Sequence, residues 1–503
     1  MSLPKDINDK KSQSYVSVGN DQTAIRTVET HKPSNKSSFG DFLADSLDPI
    51  EQISAQYGLL NNVETFDATG GSVSTVDNMF TCTTGTSIGG YGVIRSKGPT
   101  IYREGQGLMA RFTALFDANA VANSLQFAGL FNVQDTIAFG YRGTDFGILF
   151  DSYGAQEAHE LIITTMTTGN LELTLNSILY TIPVTTGTNA HNAYEIEAWM
   201  KANQSVWDAE QIEDKVILRS KSVGVKAGTY SATGAGFTGS LPQVTTGTAK
   251  VESTILQTDW NGDTFSFDPT KGNIYMVKVS YLGFGPISFF IMDSAGDFRR
   301  VHTINYQNNN IKPSISNRAL KVGWTAASLG STTDLTVQGA SAGTFIEGKS
   351  RIKANAHAQS FSNTAVGTSF ESVITLKSRE VLNGKANLGK VNIIRLELST
   401  DSTKEVVVKV CRDAVLGQTN FVYHDELDSV VTYDTTIHAD SLNGANGAHA
   451  VYETQIGSSG ANSVDLKTVD LAFVSGETIT VYAKVVSGSA SDVTASLVWK
   501  EDL

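Results

Sequence analysis

Short runs of alternating apolar and polar residues recur along most of this chain, and glycine or asparagine separates many of them. In LMARFTALF at 108–116 every second residue from Leu108 is apolar, and in KEVVVKVCRD at 404–413 the same holds from Val406 to Val410. Successive side chains of a β-strand point to opposite faces of its sheet, so this alternation is typical of strands that bury one face. Strands of this kind, repeated at short intervals, predict a mainly β fold built of sandwiches.

Length, charge and apolar content exclude several classes of protein. A chain of 503 residues is too long for one ordinary core, so two or three domains are expected. A formal net charge of −13 repels phosphate backbones, which argues against nucleic acid as a partner. No apolar run is long enough to span a membrane, and the first residues lack the apolar segment of a secretory signal. We therefore expect that the chain is made in a cytoplasm and does not insert into a membrane.

The N-terminal region is expected to hold the chain to a partner. Residues 1–37 are polar and predict an extended arm, with a disordered tail as the alternative. Residues 38–60 predict a helical anchor, because apolar residues recur there at three- and four-residue spacing. Asp48 fits the N-cap of this helix and Pro49 its first turn. Such a helix could dock on a neighbouring subunit or pack on its own chain.

Two groups of strand-like segments, at 61–159 and 257–347, together predict a central β-sandwich. The residues between them, 160–256, predict a small α+β domain inserted into that sandwich. Within the insert we expect a hairpin that turns at Asn176-Ser177. A helix should follow it, with its buried stripe formed by four residues: Ala193, Ile196, Trp199 and Met200.

The C-terminal part of the chain predicts a second sandwich. Residues 348–368 are polar and are interpreted as a linker. Residues 369–503 contain about eight strand-like segments, which is the number found in a jelly roll. The predicted domain order is therefore arm, helix, split sandwich with an insert, linker and jelly-roll-like sandwich.

A search for reactive or metal-binding motifs finds few candidates. The chain has no phosphate-binding GxxxxGK[ST], no HExxH and no GxSxG motif. Asp259, Asn261 and Asp263 have a spacing that could hold Ca²⁺, but the residues that would complete an EF-hand loop are missing, so a tight turn is preferred. We expect no catalytic residue, no metal and no cofactor.

One surface is a candidate for contact with sugars. An exposed Trp260 would offer a flat apolar face, and the neighbouring Asn261 and Asp263 would accept hydroxyl donors. The charged residues Arg103, Glu104, Arg111 and Arg142 are expected to form ion pairs or to cap turns.

Longer sequence blocks carry a resemblance to a known family. They are YREGQGLMARFTALF (102–116), IAFGYRGTDFGILF (137–150), QTDWNGD (257–263), DPTKGNIYMVKVSYLGFGPISFFI (268–291), VHTINYQN (301–308) and FIEGK (345–349). The blocks resemble virion structural proteins of tailed phages and large DNA viruses, which act as capsid decoration, fibre or spike proteins. The resemblance implies a concanavalin-like or laminin-G-like central sandwich, although such a fold does not by itself establish sugar binding.

The expected function is therefore structural. The chain would lie on the outer surface of a virus particle, held by its N-terminal region to a major capsid protein or fibre base. It would form a homo-oligomer, with a trimer as the first expectation, and could attach to a host glycan or receptor. The alternatives are a polysaccharide-degrading enzyme on a concanavalin-like fold, and a secreted lectin, against which the missing signal segment argues.

Overall fold

The computed structural model describes residues 13–18, 22–27, 47–185, 187–280, 282–348, 356–382, 385–414, 416–417, 419–423, 429–439, 449–467 and 471–503. Antiparallel sheets dominate these residues, and the predicted mainly β fold class is confirmed. None of the helices in these ranges is long and apolar enough to cross a membrane. Residues 38–46 of the predicted helical anchor lie outside the described residues.

The first part of the chain forms a separate hairpin and then the first strands of the central sandwich. These strands are β1 (Gln13–Val18), β2 (Gln22–Thr27), β3 (Leu47–Ser54), β4 (Val63–Ala68), β5 (Ser72–Val76), β6 (Met79–Thr83), β7 (Tyr91–Ser96), β8 (Thr100–Ile101), β9 (Leu108–Phe116), β10 (Ser124–Phe131), β11 (Thr136–Arg142) and β12 (Asp145–Asp151). β1 pairs only with β2 among the described strands.

The inserted domain has two small sheets and one long helix. Its elements are β13 (Gln156–Thr165), β14 (Gly169–Leu175), β15 (Ile178–Val184), α1 (Asn189–Asn203), β16 (Trp207–Ile212), β17 (Lys215–Val223), β18 (Ser231–Gly234), β19 (Thr238–Ser240) and β20 (Gln243–Thr245). β14 and β15 form the predicted hairpin, with Asn176 and Ser177 both at positive φ in its turn. Thr188 caps α1, whose predicted stripe faces a core that includes Leu161 and Trp207.

The chain then returns to the central sandwich. The returning strands are β21 (Thr254–Leu256), β22 (Asn273–Val279), β23 (Ile287–Met292), β24 (Phe298–Ile304), β25 (Ala319–Ser328), β26 (Thr336–Gly339) and β27 (Ser341–Glu347). β21 pairs with β12, so the insert leaves and re-enters the sandwich at adjacent strands. The insert's first strand begins at Gln156, earlier in the chain than the sequence interpretation placed it.

Two large sheets make up the central sandwich in the described part of the chain. One has the order β21-β12-β11-β10-β25-β7-β4, with β8 beside β25. The other has the order β24-β23-β22-β9-β26-β6-β5, with β27 and β3 continuing beside β9. Trp324 from the first sheet and Phe112 and Phe289 from the second are fully buried in one core between them. This face-to-face packing is what the alternating pattern predicts.

The C-terminal sandwich contains the remaining strands. They are β28 (Ala356–Val366), β29 (Glu371–Ser378), β30 (Val381–Leu382), β31 (Lys385–Ala386), β32 (Lys390–Thr400), β33 (Val406–Arg412), β34 (Val422–Tyr423), β35 (Val431–Asp434), β36 (His449–Ile456), β37 (Ala461–Asp465), β38 (Ala472–Val474), β39 (Thr478–Val485) and β40 (Ser491–Asp502). A sheet centred on β40 and β32 faces a sheet centred on β29 and β39. Trp499 and Phe473 are buried in the core between them.

Two interpretations of the sequence are wrong in this region and at the start of the sandwich. Residues 356–366, assigned to a linker, form β28 and pair along β40. Residues 47–54, assigned to a helix, form the strand β3, which pairs with β27. The pairing passes from Glu51 directly to Pro49 and so leaves Ile50 as an extra residue in a bulge. Pro49 is tolerated because β3 is an edge strand and needs no N–H donor there.

The C-terminal sandwich contacts the central one through polar pairs. Arg103 donates to both carboxylate oxygens of Asp502, at 3.2 and 2.7 Å. Arg318 donates to the carbonyl oxygen of Leu503 at 2.9 Å. Two parallel N–H···O bonds from one guanidinium fix orientation as well as distance. The end of β40 is therefore held in a defined position against the central sandwich.

The insert contacts the same C-terminal sandwich through a buried group of charges. Lys377 lies 3.3 Å from Glu197 of α1 and 3.9 Å from Glu210 of β16. Glu380 binds Lys201 at 3.1 Å and Arg219 at 3.0 Å. We call these six residues the interdomain charge cluster; with all six ionised, its three carboxylates balance its three cations. Burial opposes charge, so each member depends on its partners.

Candidate functional site

A groove runs over the outer face of the nine-stranded sheet, the face turned away from the sandwich core. Alternation along β9 sends Phe112 to the core and Arg111 to the outer face. The groove encloses about 510 Å³, a volume in the range that holds one or two sugar rings. Its lining comes from β3 and the loop after it, from β9, from the start of β22 and from β27.

Arg111 is the charged residue of this groove. Its guanidinium lies over the ring of Phe298, 5.6 Å from the centroid, and over that of Phe345, at 5.8 Å. Its Nε is buried and has no hydrogen-bond partner. Burial lowers the pKa of Arg111, and no carboxylate among the described residues pairs with it. The groove thus holds a cation whose charge the surrounding described residues leave uncompensated.

The rim of the groove carries an exposed aromatic ring. Ser54 accepts a hydrogen bond from the backbone of Gln56 and so begins a short 3-10 helix at Ala55–Tyr57. The side chain of Tyr57, at the end of this helix, is 77% exposed. Asn62 donates to the carbonyl oxygen of Gln52 at 3.0 Å, which ties the loop after the helix back to β3. The ring therefore stands on a braced loop.

The rest of the lining is uncharged and polar or apolar. The hydroxyl of Thr113 accepts from the backbone N–H of Ala340 at 2.8 Å and holds the turn between β26 and β27. Gln52, Gln56 and Ser341 add amide and hydroxyl groups. None of the described residues that line the groove is Asp or Glu.

Trp260 does not have the exposure that the sequence interpretation gave it. Its ring is half-buried and stacks on Phe267 at an interplanar angle of 11°, with 6.1 Å between centroids. Its indole N–H donates to the carbonyl oxygen of Ile255 at 3.2 Å. Trp260 also packs edge-on against Phe139 and Phe146. These contacts pack the Trp260 ring against the core of the central sandwich. Trp260 is not one of the residues that line the groove.

Asn261 and Asp263 hold their segment against β24. The Asn261 side chain accepts from the backbone N–H of Thr303 at 2.8 Å and donates to its carbonyl oxygen at 2.9 Å. The backbone N–H of Asp263 donates to the carbonyl oxygen of Arg300 at 2.8 Å. The amide predicted to meet a sugar is thus occupied by protein backbone. A glycan contact at Trp260, Asn261 and Asp263 stays a prediction.

The other charged residues singled out in the sequence are paired. Arg142 contacts both oxygens of Asp151, at 2.8 and 2.9 Å. Arg103 pairs with Asp502, and Glu104 pairs with Arg318. Arg111 is the exception to the expected pairing.

Buried carboxylates elsewhere act as acceptors for protein donors. Asp135 accepts from the backbone N–H groups of Ser316 and Asn317 at 3.0 and 2.9 Å. Glu501 accepts from the backbone N–H of Val430 and the indole of Trp499, each at 2.9 Å. Within the described ranges, no group of three or more His, Cys, Asp or Glu residues is arranged to hold a metal ion.

Sequence reasoning missed the groove because its residues come from distant parts of the chain. β27 lies between β9 and β3, and this pairing brings Arg111 and Tyr57 into the lining of the same groove. The one available signal was a cation inside LMARFTALF, on the face opposite the residues that form the core. A charged residue within such an apolar strand is unusual unless it is paired or functional.

Comparisons with known proteins return only structural likenesses. No protein-family model matches the chain, and no curated protein matches it. Solved structures that align with it include arcelin-5, a lectin-like defense protein from Phaseolus vulgaris, at a TM-score of 0.24 and 7% identity, over 60% of this chain and 100% of that one. A lectin from Bauhinia forficata in complex with GalNAc aligns at 0.24 and 9%, over 61% and 100%. The Emp47p carbohydrate recognition domain aligns at 0.23 and 8%, over 59% and 98%. These TM-scores are low. The sandwich architecture of this chain is therefore argued from its own sheets.

Proposed function

We propose that this protein is a structural component of the outer surface of a virus particle and that it has no catalytic activity. The observation that carries the proposal is the joining of three β-rich units into one braced body. The C-terminal sandwich contacts the central sandwich through Arg103 and Asp502, and it contacts the insert through the interdomain charge cluster. A rigid body of this kind presents its loops in fixed positions, which suits a binding surface.

The assignment to a virus particle is supported by the sequence blocks at 102–116, 137–150 and 268–291, which resemble virion structural proteins. We place the N-terminal region at the contact with the capsid or fibre base, and the groove on the exposed side. The protein forms a homotrimer in this proposal. Its partners are other virion proteins and a host surface ligand.

Gradient-purified particles test the location. Mass spectrometry should detect the chain in intact particles, and brief protease treatment of those particles should release its peptides before those of internal proteins. Recombinant protein should sediment as a trimer in analytical ultracentrifugation. Absence of the chain from purified particles would contradict the proposal, and a strictly monomeric protein would contradict its oligomeric part.

The absence of catalysis has its own test. The full chain, incubated with neutral and acidic polysaccharides, should release no reducing ends above a heat-denatured control. Sustained release that one carboxylate substitution abolishes, without a change in folding, would favour the polysaccharide-degrading alternative.

A further inference from the structure

We propose that the groove beside Arg111 binds an acidic saccharide, with a sugar carboxylate against the guanidinium and a sugar ring against Tyr57. This inference deepens the proposed function and rests on it, because a surface protein of a particle is where such a ligand would be met. The groove residues are distinct from Trp260, Asn261 and Asp263.

The negative charge of the ligand follows from the state of Arg111. Burying a cation without a partner costs free energy, and proteins normally compensate it with a carboxylate. Here the described residues supply two aromatic rings and no anion. A bound anion would complete this arrangement.

A carboxylate suits the guanidinium better than a diffuse charge. Arginine presents parallel N–H donors in one plane, and these match the two oxygens of a planar carboxylate. The chain as a whole is acidic, at a formal net charge of −13, so attraction of an anion depends on this local site. At physiological salt the Debye length is about 8 Å, so carboxylates farther than this from the groove repel a bound anion only weakly.

The saccharide class follows from the remaining lining. Tyr57, at 77% exposure, offers an apolar face with a polar edge, which is how aromatic side chains meet sugar rings. Gln52, Gln56 and Ser341 provide neutral donors and acceptors for hydroxyl groups. A volume of about 510 Å³ accommodates one or two rings.

Isothermal titration of the full chain tests the proposal with a matched pair of probes. The probes are trigalacturonate and its fully methyl-esterified form, which differ only in charge. The test variants are Arg111→Met and Tyr57→Ala. The control is Arg395→Met, which removes one exposed arginine in the C-terminal sandwich. Thermal unfolding of each variant establishes that it is folded.

The wild type should bind trigalacturonate at least tenfold more tightly than the ester. Arg111→Met should remove that preference by lowering the affinity for trigalacturonate to that for the ester, Tyr57→Ala should weaken both probes at least fivefold, and Arg395→Met should match the wild type. Equal affinity for the two probes, no binding of trigalacturonate at millimolar concentration, or retained preference in a folded Arg111→Met variant would overturn the proposal.

Two further probes test the class of ligand. A triglutamate peptide and a sulfated trisaccharide should each bind at least tenfold more weakly than trigalacturonate. Equal binding of the peptide would overturn the saccharide assignment, and equal binding of the sulfated sugar would overturn the carboxylate. Detection of the chain on particles is independent of all these titrations, so failure here is distinguishable from failure of the proposed function.

Discussion

Lys377 Nζ lies 3.3 Å from Glu197 Oε1, across the boundary between the C-terminal sandwich and the inserted domain. Both side chains are nearly inaccessible to solvent. The insert is tied by its chain ends to the central sandwich, and the central sandwich is tied to the C-terminal one by Arg103 and Asp502. The three units therefore form a closed arrangement in which each contacts the other two.

Replacing Lys377 should show how much this arrangement depends on the interdomain charge cluster. Lys377→Met removes the cation that Glu197 and Glu210 share and leaves Glu197 with Lys201 alone, a loss that costs up to about 3–5 kcal/mol in comparable sites. We expect a clearly lower urea midpoint and faster proteolytic cleavage within the insert and the C-terminal sandwich, which lose their contact. Lys467→Met, which removes an exposed pair with Asp465, is the control and should change little. A Lys377→Met variant as stable as the wild type would contradict this role.

Glu210 should make stability depend on pH near neutrality. Burial raises the pKa of Glu210 to about 7, against the lowering effect of Lys377. Because the folded state holds the proton more tightly than the unfolded state, the contribution to stability is full below the ordinary carboxyl pKa and is lost as pH rises through about 7. Urea unfolding should therefore show a loss of about 1 kcal/mol between pH 6 and pH 8 that Glu210→Gln removes. An identical pH profile for the variant would count against the assignment.

Trp260 should matter for stability and not for the groove. Trp260→Ala removes the stacking on Phe267 and the hydrogen bond to Ile255, which should cost about 2 kcal/mol for a half-buried ring. Tyr57→Ala, which removes an exposed ring, should leave the urea midpoint unchanged. If Trp260→Ala kept full stability but lost sugar binding, the sequence-based site would be right and the groove wrong.

Arg111 should be dispensable for folding. Since its guanidinium is partly buried without a carboxylate partner, Arg111→Met should keep stability or raise it by up to about 1 kcal/mol. Arg142→Met, which breaks a two-bond pair with Asp151, should instead lower it by about 1–3 kcal/mol. Chemical denaturation of both variants gives the comparison, and a larger loss for Arg111→Met would assign it a structural role.

Gly339 should tolerate no side chain because of Trp324. A Cβ at Gly339 would lie 2.2 Å from Trp324 Nε1, which donates to the carbonyl oxygen of Thr113 at 2.8 Å. Gly339→Ala should therefore displace the buried indole and cost about 1–3 kcal/mol. Gly272→Ala has open space around its Cβ and should be neutral. Near-ultraviolet circular dichroism and thermal unfolding would show both results.

Much of the fold follows from local pattern. Apolar residues at every second position in 108–116 and 406–410 are enough to predict β9 and β33, because one face of each strand packs into a sandwich core. The hairpin at Asn176-Ser177 and the helix α1 follow from turn chemistry and apolar spacing in the same way. These elements depend on neighbours in the sequence.

The errors arise where distant contacts decide the structure. The bulge at Ile50 lets Ile50 and Ile53, three residues apart, both contact the core from a strand, so the spacing imitated a helix. The strand at residues 356–366 has one exposed face, and the residues on that face are polar. In the sequence this polarity resembled a linker. The pairing of Lys377 with Glu197 spans 180 residues and leaves no local trace.

Electron microscopy of purified particles labelled with gold-conjugated antibody against the C-terminal sandwich tests the central claim most directly. The account predicts regularly spaced gold on the exterior of intact particles, with none on particles that lack the chain. Gold confined to disrupted particles or to material outside particles would contradict it.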